Sequence, residues 1–135
     1  MLYFAYGSNL NHIQMKRRCK DSIFLKKINL SNFRLTFRSK YKAADIETIK
    51  NSKVPGALFE ISKSDEKKLD VYEDFPILYK KYYFTYYSKK VMTYTMNKKT
   101  PFAYPTEKYL NVVKKGYRDC NLKIEYLKTG LKRDE

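Results

Sequence analysis

Leu2-Tyr3-Phe4-Ala5-Tyr6-Gly7-Ser8-Asn9-Leu10 begins with an apolar and aromatic run and turns polar at a glycine. The run predicts a short, buried first strand over Leu2–Tyr6, because a strand covered on both faces reads as continuous hydrophobes rather than an alternation. Gly7 ends it, and Asn9 or Asn11 caps a helix over His12–Cys19, with Ile13, Met15 and Leu10 turned inward. A buried strand feeding a helix through a glycine turn sets the class, provided that the rest of the chain supplies partner strands.

It does. Ile23–Leu30 reads as a strand. From Phe33 the text alternates, with Phe33, Leu35 and Phe37 on one face and Arg34, Thr36 and Arg38 on the other, the period of a half-exposed strand. Ser39–Lys53 is polar and reads as an exposed excursion or irregular loop. Val54-Pro55-Gly56 opens another strand over Ala57–Ile61. Ser62 with Asp65 has capping-box spacing for a helix running to about Tyr72 and ending before Pro76, which cannot continue it. Tyr79–Tyr87 and Val91–Met96 are rich in aromatic and β-branched residues, and Ser88-Lys89-Lys90 between them marks a hairpin. Helices follow over Glu107–Lys115, stopped by Gly116, and over Leu122–Leu131. Residues 1–135 thus form one α+β domain with mostly antiparallel strands.

Composition narrows the function. The chain has 135 residues, 43% hydrophobic and 16% aromatic, with 14 Tyr and 8 Phe, which is too apolar for a disordered chain. No stretch approaches the ~18 apolar residues of a membrane span, and the N-terminal run lacks the basic leader of a signal peptide. Cys19 and Cys120 are far apart and His12 is the single histidine, so neither a structural zinc site nor a haem attachment has its ligands. Free thiols point to a cytoplasmic protein. Lys+Arg of 29 against Asp+Glu of 14 gives a formal charge of +15. The basic residues fall as scattered Lys doublets rather than an arginine-bearing stripe, so a solvated surface is favoured over a nucleic-acid partner.

Three features carry chemistry. Tyr6-Gly7-Ser8-Asn9 sits between strand and helix, where exposed backbone N–H groups form a concavity for a carboxylate or an oxyanion; an ordinary turn has the same letters. Asp70, Glu73 and Asp74 crowd a predicted helix C-terminus, where acids are unfavourable. A carboxylate held among Tyr72, Phe75 and Tyr79 would be partly desolvated and raised towards the range of a useful acid or base. The many tyrosines of the second half offer apolar walls with hydrogen-bonding tips, which suit a small polar substrate as well as plain strand packing.

In their order, Tyr3-x-x-Tyr6-Gly7-Ser8-Asn9-Leu10, Asn32–Phe37, Val54–Ile61 and Leu69-Asp70-x-x-Glu73 followed by Tyr79 resemble the gamma-glutamylcyclotransferase-like family. The stretch Glu73–Tyr79 with Pro76 inside it looks most like the gamma-glutamylamine cyclotransferase, AIG2-like branch. Asn9 stands where the glutathione-specific branch usually carries Leu. The resemblance implies a small, mixed, mostly antiparallel β-barrel with flanking helices and a cavity at one end. It implies release of 5-oxoproline from a small gamma-glutamyl substrate without metal or cofactor. Glu73 would be the catalytic acid/base, with Tyr6, Gly7, Ser8, Asn9, Tyr79 and Tyr109 binding substrate. Asp74 departs from the pattern, since a Gly is frequent there in the family.

Two other classes stay open on the sequence: a non-catalytic family member that binds a small acidic ligand or a protein partner, and a basic nucleic-acid-binding domain. The expected assembly is a monomer or weak homodimer with no membrane association.

Overall fold

The computed structural model describes residues 1–132. The first strand, β1 (Leu2–Ala5), lies at the centre of a five-stranded sheet, and Tyr3, Phe4 and Ala5 are all buried. Its outer neighbours are two hairpins. β2 (Ile23–Arg38) and β3 (Ala43–Glu60) form one antiparallel pair, and β4 (Tyr79–Tyr86) and β5 (Lys89–Met96) the other. β1 pairs antiparallel with β3, from Leu2↔Glu60 to Ala5↔Ala57, and parallel with β5 at Leu2↔Val91 and Tyr3↔Met92. The order is β2-β3-β1-β5-β4, an α+β architecture with a mixed, mostly antiparallel sheet.

The hydrogen-bonded ladder does not close, so the barrel expected from the family is a barrel in outline only. Side chains span the gap between the edges: the Phe33 ring of β2 meets Tyr82 of β4 edge-on at 5.4 Å, and Lys26 lies over the Tyr86 ring at 5.6 Å.

The largest correction concerns Ser39–Lys53. Only residues 39–42 turn, with Ser39 and Lys42 at φ 75° and 53°; from Ala43 the chain is strand. Its polar letters conceal a short buried segment, 44–46, in which Asp45 is fully buried against Arg38 at 3.2 Å and Lys99 at 3.0 Å, while Glu47 pairs with Arg34 at 2.7 Å; residues 48–51 and 53 are exposed, as expected, although in a strand. For the same reason Thr36 and Arg38 are buried rather than exposed. Ile23–Leu30 and the alternating stretch from Phe33 are one strand, irregular in register between Ser31 and Phe33, where Asn32 takes φ 65°. The β4–β5 turn is the pair Tyr87-Ser88, both at positive φ, as tight hairpin turns require.

Among the described residues four α-helices flank the sheet: α1 (His12–Arg18), α2 (Lys63–Tyr72), α3 (Glu107–Asp119) and α4 (Ile124–Gly130). Asn11 caps α1, its side chain accepting from the Gln14 N–H. Met15 and Leu10 are buried as expected, but Ile13 is 61% exposed. The Ser62/Asp65 capping box on α2 is complete in both directions. Gly116 does not stop α3. It lets the helix pass against the turn Ser8–Leu10, where an added Cβ would stand 2.5 Å from Leu10 Cβ. Cys19 and Cys120 are free and buried, and burial pushes both thiols up to about 12. No described helix is long and apolar enough to cross a membrane.

Candidate active site

β1 delivers Tyr6 and Gly7 to the rim of a cavity of about 390 Å³. The chain then makes a single 3-10 turn, Ser8–Leu10, closed by the Leu10 N–H donating to the Gly7 carbonyl. The first N–H groups of such a turn have no acceptor within it. Tyr6, Gly7, Ser8 and Asn9 all line the cavity. Gly7 packs closely: a Cβ there would lie 3.1 Å from Ala44 Cβ and 3.3 Å from the Tyr109 hydroxyl, a tight fit that a small shift of either would relieve.

α2 brings Glu73 to the same cavity. Glu73 is the residue that ends the helix, its N–H donating to the Leu69 and Val71 carbonyls. Its side chain faces the cavity, so it keeps some accessible surface although protein encloses it. That enclosure raises its carboxyl to about 8, against a smaller downward pull from the Arg18 charge. A carboxyl in that range can take and return a proton near neutral pH.

Tyr79 and Tyr109 complete the expected set, and one backbone residue holds both. The Ala44 N–H donates to the Tyr109 hydroxyl at 3.1 Å, and the Tyr79 hydroxyl donates to the Ala44 carbonyl at 2.6 Å. Tyr6 donates to the Tyr94 carbonyl at 2.7 Å. Burial holds the phenols of Tyr3, Tyr6, Tyr79 and Tyr109 well above the usual tyrosine range, and the Glu73 charge adds to the rise in each. These groups stay neutral hydrogen-bond donors while Glu73 titrates.

The seven residues singled out in the sequence therefore share one cavity. Others were missed. Ala43 and Ala44 were hidden in the segment read as loop. Tyr3 and Tyr94 line the cavity too and are indistinguishable in sequence from packing tyrosines, although Tyr3 lies inside the opening motif; Tyr72, expected beside the carboxylate, lines it as well. Asn9 donates to the Tyr3 hydroxyl at 2.9 Å, and Ser8 shares a hydrogen bond with the Tyr72 hydroxyl at 2.8 Å, tying the glycine turn to the end of α2. Arg18 of α1 stacks 3.5 Å above the Tyr72 ring and donates to Asn9 Oδ1 at 2.7 Å. No sequence signal marked it.

Asp74 also lines the cavity, at φ 52°. Glycine adopts that left-handed conformation freely. Asp adopts it at modest cost.

A family model described as "Gamma-glutamyl cyclotransferase, AIG2-like" matches residues 3–117. No curated protein matches by sequence. Among solved structures, one named gamma-glutamyl cyclotransferase superimposes with a TM-score of 0.81 at 22% identity, covering 100% of this chain and 89% of that one. An uncharacterized protein from Homo sapiens gives 0.82 at 24% identity, with 99% and 89% coverage. YkqA from Bacillus subtilis gives 0.78 at 17% identity, with 96% and 52% coverage. At these identities the structures show a shared fold, and the family match extends from β1 into α3: the chain belongs to the gamma-glutamyl cyclotransferase, AIG2-like family.

Proposed function

We propose that this protein releases 5-oxoproline and a free amine from a small gamma-glutamyl amide by intramolecular aminolysis. The observation that carries the reading is a single enclosed carboxyl, Glu73, raised to about 8 in a cavity that it shares with the Gly7 turn. The substrate brings its own nucleophile, so the protein needs neither a serine nor a cysteine. It needs a base, because the substrate's α-amine arrives as an ammonium ion.

In the proposed sequence Glu73, ionised, takes a proton from the α-ammonium. The freed amine nitrogen attacks the γ-carbonyl carbon, a C–N bond forms, and the carbonyl electron pair moves onto oxygen. The tetrahedral intermediate then collapses: Glu73 gives its proton to the leaving nitrogen as that C–N bond breaks and the carbonyl re-forms, and the regenerated carboxylate takes the second proton from the ring nitrogen and passes it to the departing amine, which leaves as an ammonium ion. The N–H groups of the Gly7–Asn9 turn hold the α-carboxylate or the oxyanion. Tyr79 and Tyr109, fixed on Ala44, keep the glutamyl chain bent so that amine and carbonyl meet, a proximity effect worth several kcal/mol. The cationic substrate itself favours ionised Glu73, so binding lowers the pKa of the group that must accept its proton.

The test is a panel of gamma-glutamyl amides incubated with the wild-type protein and Glu73→Gln, scored for 5-oxoproline. Turnover by the wild type and its loss by at least about 10²-fold in the variant are expected. Full activity in Glu73→Gln removes Glu73 from the mechanism. No 5-oxoproline from any amide favours a non-catalytic binding protein.

A further inference from the structure

β1 stops at Ala5, and beyond its end the cavity opens between β3 and β5, which are not neighbours in the sheet. The β2–β3 hairpin is irregular at Asn32 and Asn51, both at positive φ, and its tip carries Ala44 to Gly7, whose added Cβ would lie 3.1 Å from Ala44 Cβ. On the other side β5 runs to Met96. The Asn97 N–H that follows donates to the Leu78 carbonyl beside β4. Successive N–H groups of an extended chain point to opposite sides, so the Met96 N–H is directed away from β4, to where β1 no longer reaches. Asp45 supplies its acceptor: Oδ1 takes the Met96 N–H at 2.9 Å.

Asp45 is fully buried, and its other oxygen, Oδ2, lies 3.2 Å from Arg38 Nε and 3.0 Å from Lys99 Nζ. Arg38 is held in turn by Glu47 and by the Thr100 carbonyl, so the carboxylate has one orientation. Buried ion clusters are weak contributors to stability, because well-packed apolar residues of similar volume often serve a fold as well or better. An apolar side chain at position 45 would avoid the desolvation cost, but it could not accept the Met96 N–H. What the cluster adds is a fixed position for the β3 backbone, and the preceding residue uses it. The Ala44 N–H donates to the Tyr109 hydroxyl, and the Ala44 carbonyl accepts from the Tyr79 hydroxyl. Tyr79 thus commits its hydrogen to Ala44, whereas Tyr109 receives one and, among the described residues, keeps its own for the cavity.

We propose that Asp45 is a positioning residue for the cyclisation: by pinning β3 to the end of β5 it holds Ala44, and with Ala44 the hydroxyls of Tyr79 and Tyr109, at the distance from the Gly7 turn that a bent glutamyl group requires. The inference rests on the proposed cyclotransferase function. Asp45 is not part of the cavity wall, where Ala43 and Ala44 represent this strand, so it touches no substrate and acts through Ala44. The contact that matters is the one from Oδ1 to the Met96 N–H. Arg38 and Lys99 offset the charge that comes with it.

The test measures kcat and KM for the wild type, Asp45→Asn, Asp45→Ala and Lys99→Met, with the gamma-glutamyl amide of the panel that the wild type turns over fastest. The folded fraction of each comes from urea unfolding, and hydrogen exchange at the Met96 and Ala44 amides is followed by NMR. Asp45→Ala leaves the Met96 N–H without its acceptor and should lower kcat per folded molecule by about 10- to 10²-fold, with a smaller rise in KM and lost protection at Met96. Asp45→Asn keeps an oxygen for that N–H and should recover kcat to within about threefold of the wild type. Lys99→Met removes only a half-exposed charge partner and should stay within about twofold. A residue with a structural role alone would lower the folded fraction and leave kcat of the folded molecules unchanged, and that result overturns the inference. If Asp45→Ala does not fold, Asp45→Asn decides by itself: Met96 protection and kcat must survive together or fall together, and a separation of the two overturns the positioning role. Absence of 5-oxoproline from the wild type with every amide overturns the cyclotransferase reading as well, whereas wild-type turnover that Asp45→Ala matches overturns the positioning role alone.

Discussion

Glu73→Gln should act on stability in the direction opposite to its action on turnover, and increasingly so as pH rises from 4.5 to 8. The folded protein holds this carboxyl at about 8 against an ordinary value of 4.5, because enclosure opposes its ionisation. Below pH 4.5 the group is protonated in both folded and unfolded chains and contributes no difference. Between 4.5 and 8 the unfolded chain has released its proton and the folded one has kept it, so wild-type stability declines as pH rises, by up to about 1.4 kcal/mol per unit. Above 8 both forms are ionised and the full penalty stands. The whole interval corresponds to roughly 5 kcal/mol; the side chain faces a cavity that admits water, so about 2 kcal/mol is the lower end expected. Glutamine carries no such penalty at any pH. The variant's melting temperature, measured by calorimetry against the wild type, should therefore gain about 5 °C or more between pH 5 and pH 8.5 for a chain of this size. A difference that is independent of pH, or one that favours the wild type more as pH rises, would refute the claim that this carboxyl is held neutral by its surroundings.

Arg18→Met removes the charge that opposes the rise in Glu73, so the ascending limb of kcat/KM against pH should move to higher pH, while Arg18→Lys should move it less; coincident profiles would separate Arg18 from the site's electrostatics. Gly116→Ala should destabilise the protein by about 1–3 kcal/mol in urea despite alanine's helix propensity, because the new Cβ would lie 2.5 Å from Leu10 Cβ and 2.6 Å from the Asn11 nitrogen; a stabilised variant would show that α3 can move away from the Ser8–Leu10 turn at no cost.

The parts legible in the sequence are those where a local rule and the tertiary context agree. Leu2–Tyr6 has no polar side to expose, so it belongs at the sheet centre. Ser62 and Asp65 satisfy each other without outside help. The parts that were not legible need a distant partner. Asp45 looks like a surface acid until Arg38 and Lys99 are brought to it, and Ala44 looks like filler until two tyrosines separated by thirty residues of chain hydrogen-bond to its backbone. Gly116 reads as a helix stop because helix-breaking and close packing call for the same residue. Arg18 was invisible because its role is to stack on Tyr72 and hold Asn9, neither of which is its neighbour in sequence.

The same partnership logic bears on how one carboxyl would serve the proposed cyclisation. A site that relied on several titrating groups would need each held in a particular protonation state. Here burial raises the phenols of Tyr3, Tyr6, Tyr79 and Tyr109, and each is raised further by a negative Glu73, so ionisation of the carboxylate makes loss of a phenolic proton harder. The two kinds of group are thereby driven apart, the phenols towards permanent donors and the carboxyl into the neutral range. Both protons that leave the α-nitrogen in the proposed cyclisation can then pass through one side chain to the leaving nitrogen. Arg18, by opposing the enclosure, keeps that side chain from becoming too weak an acid to return its proton.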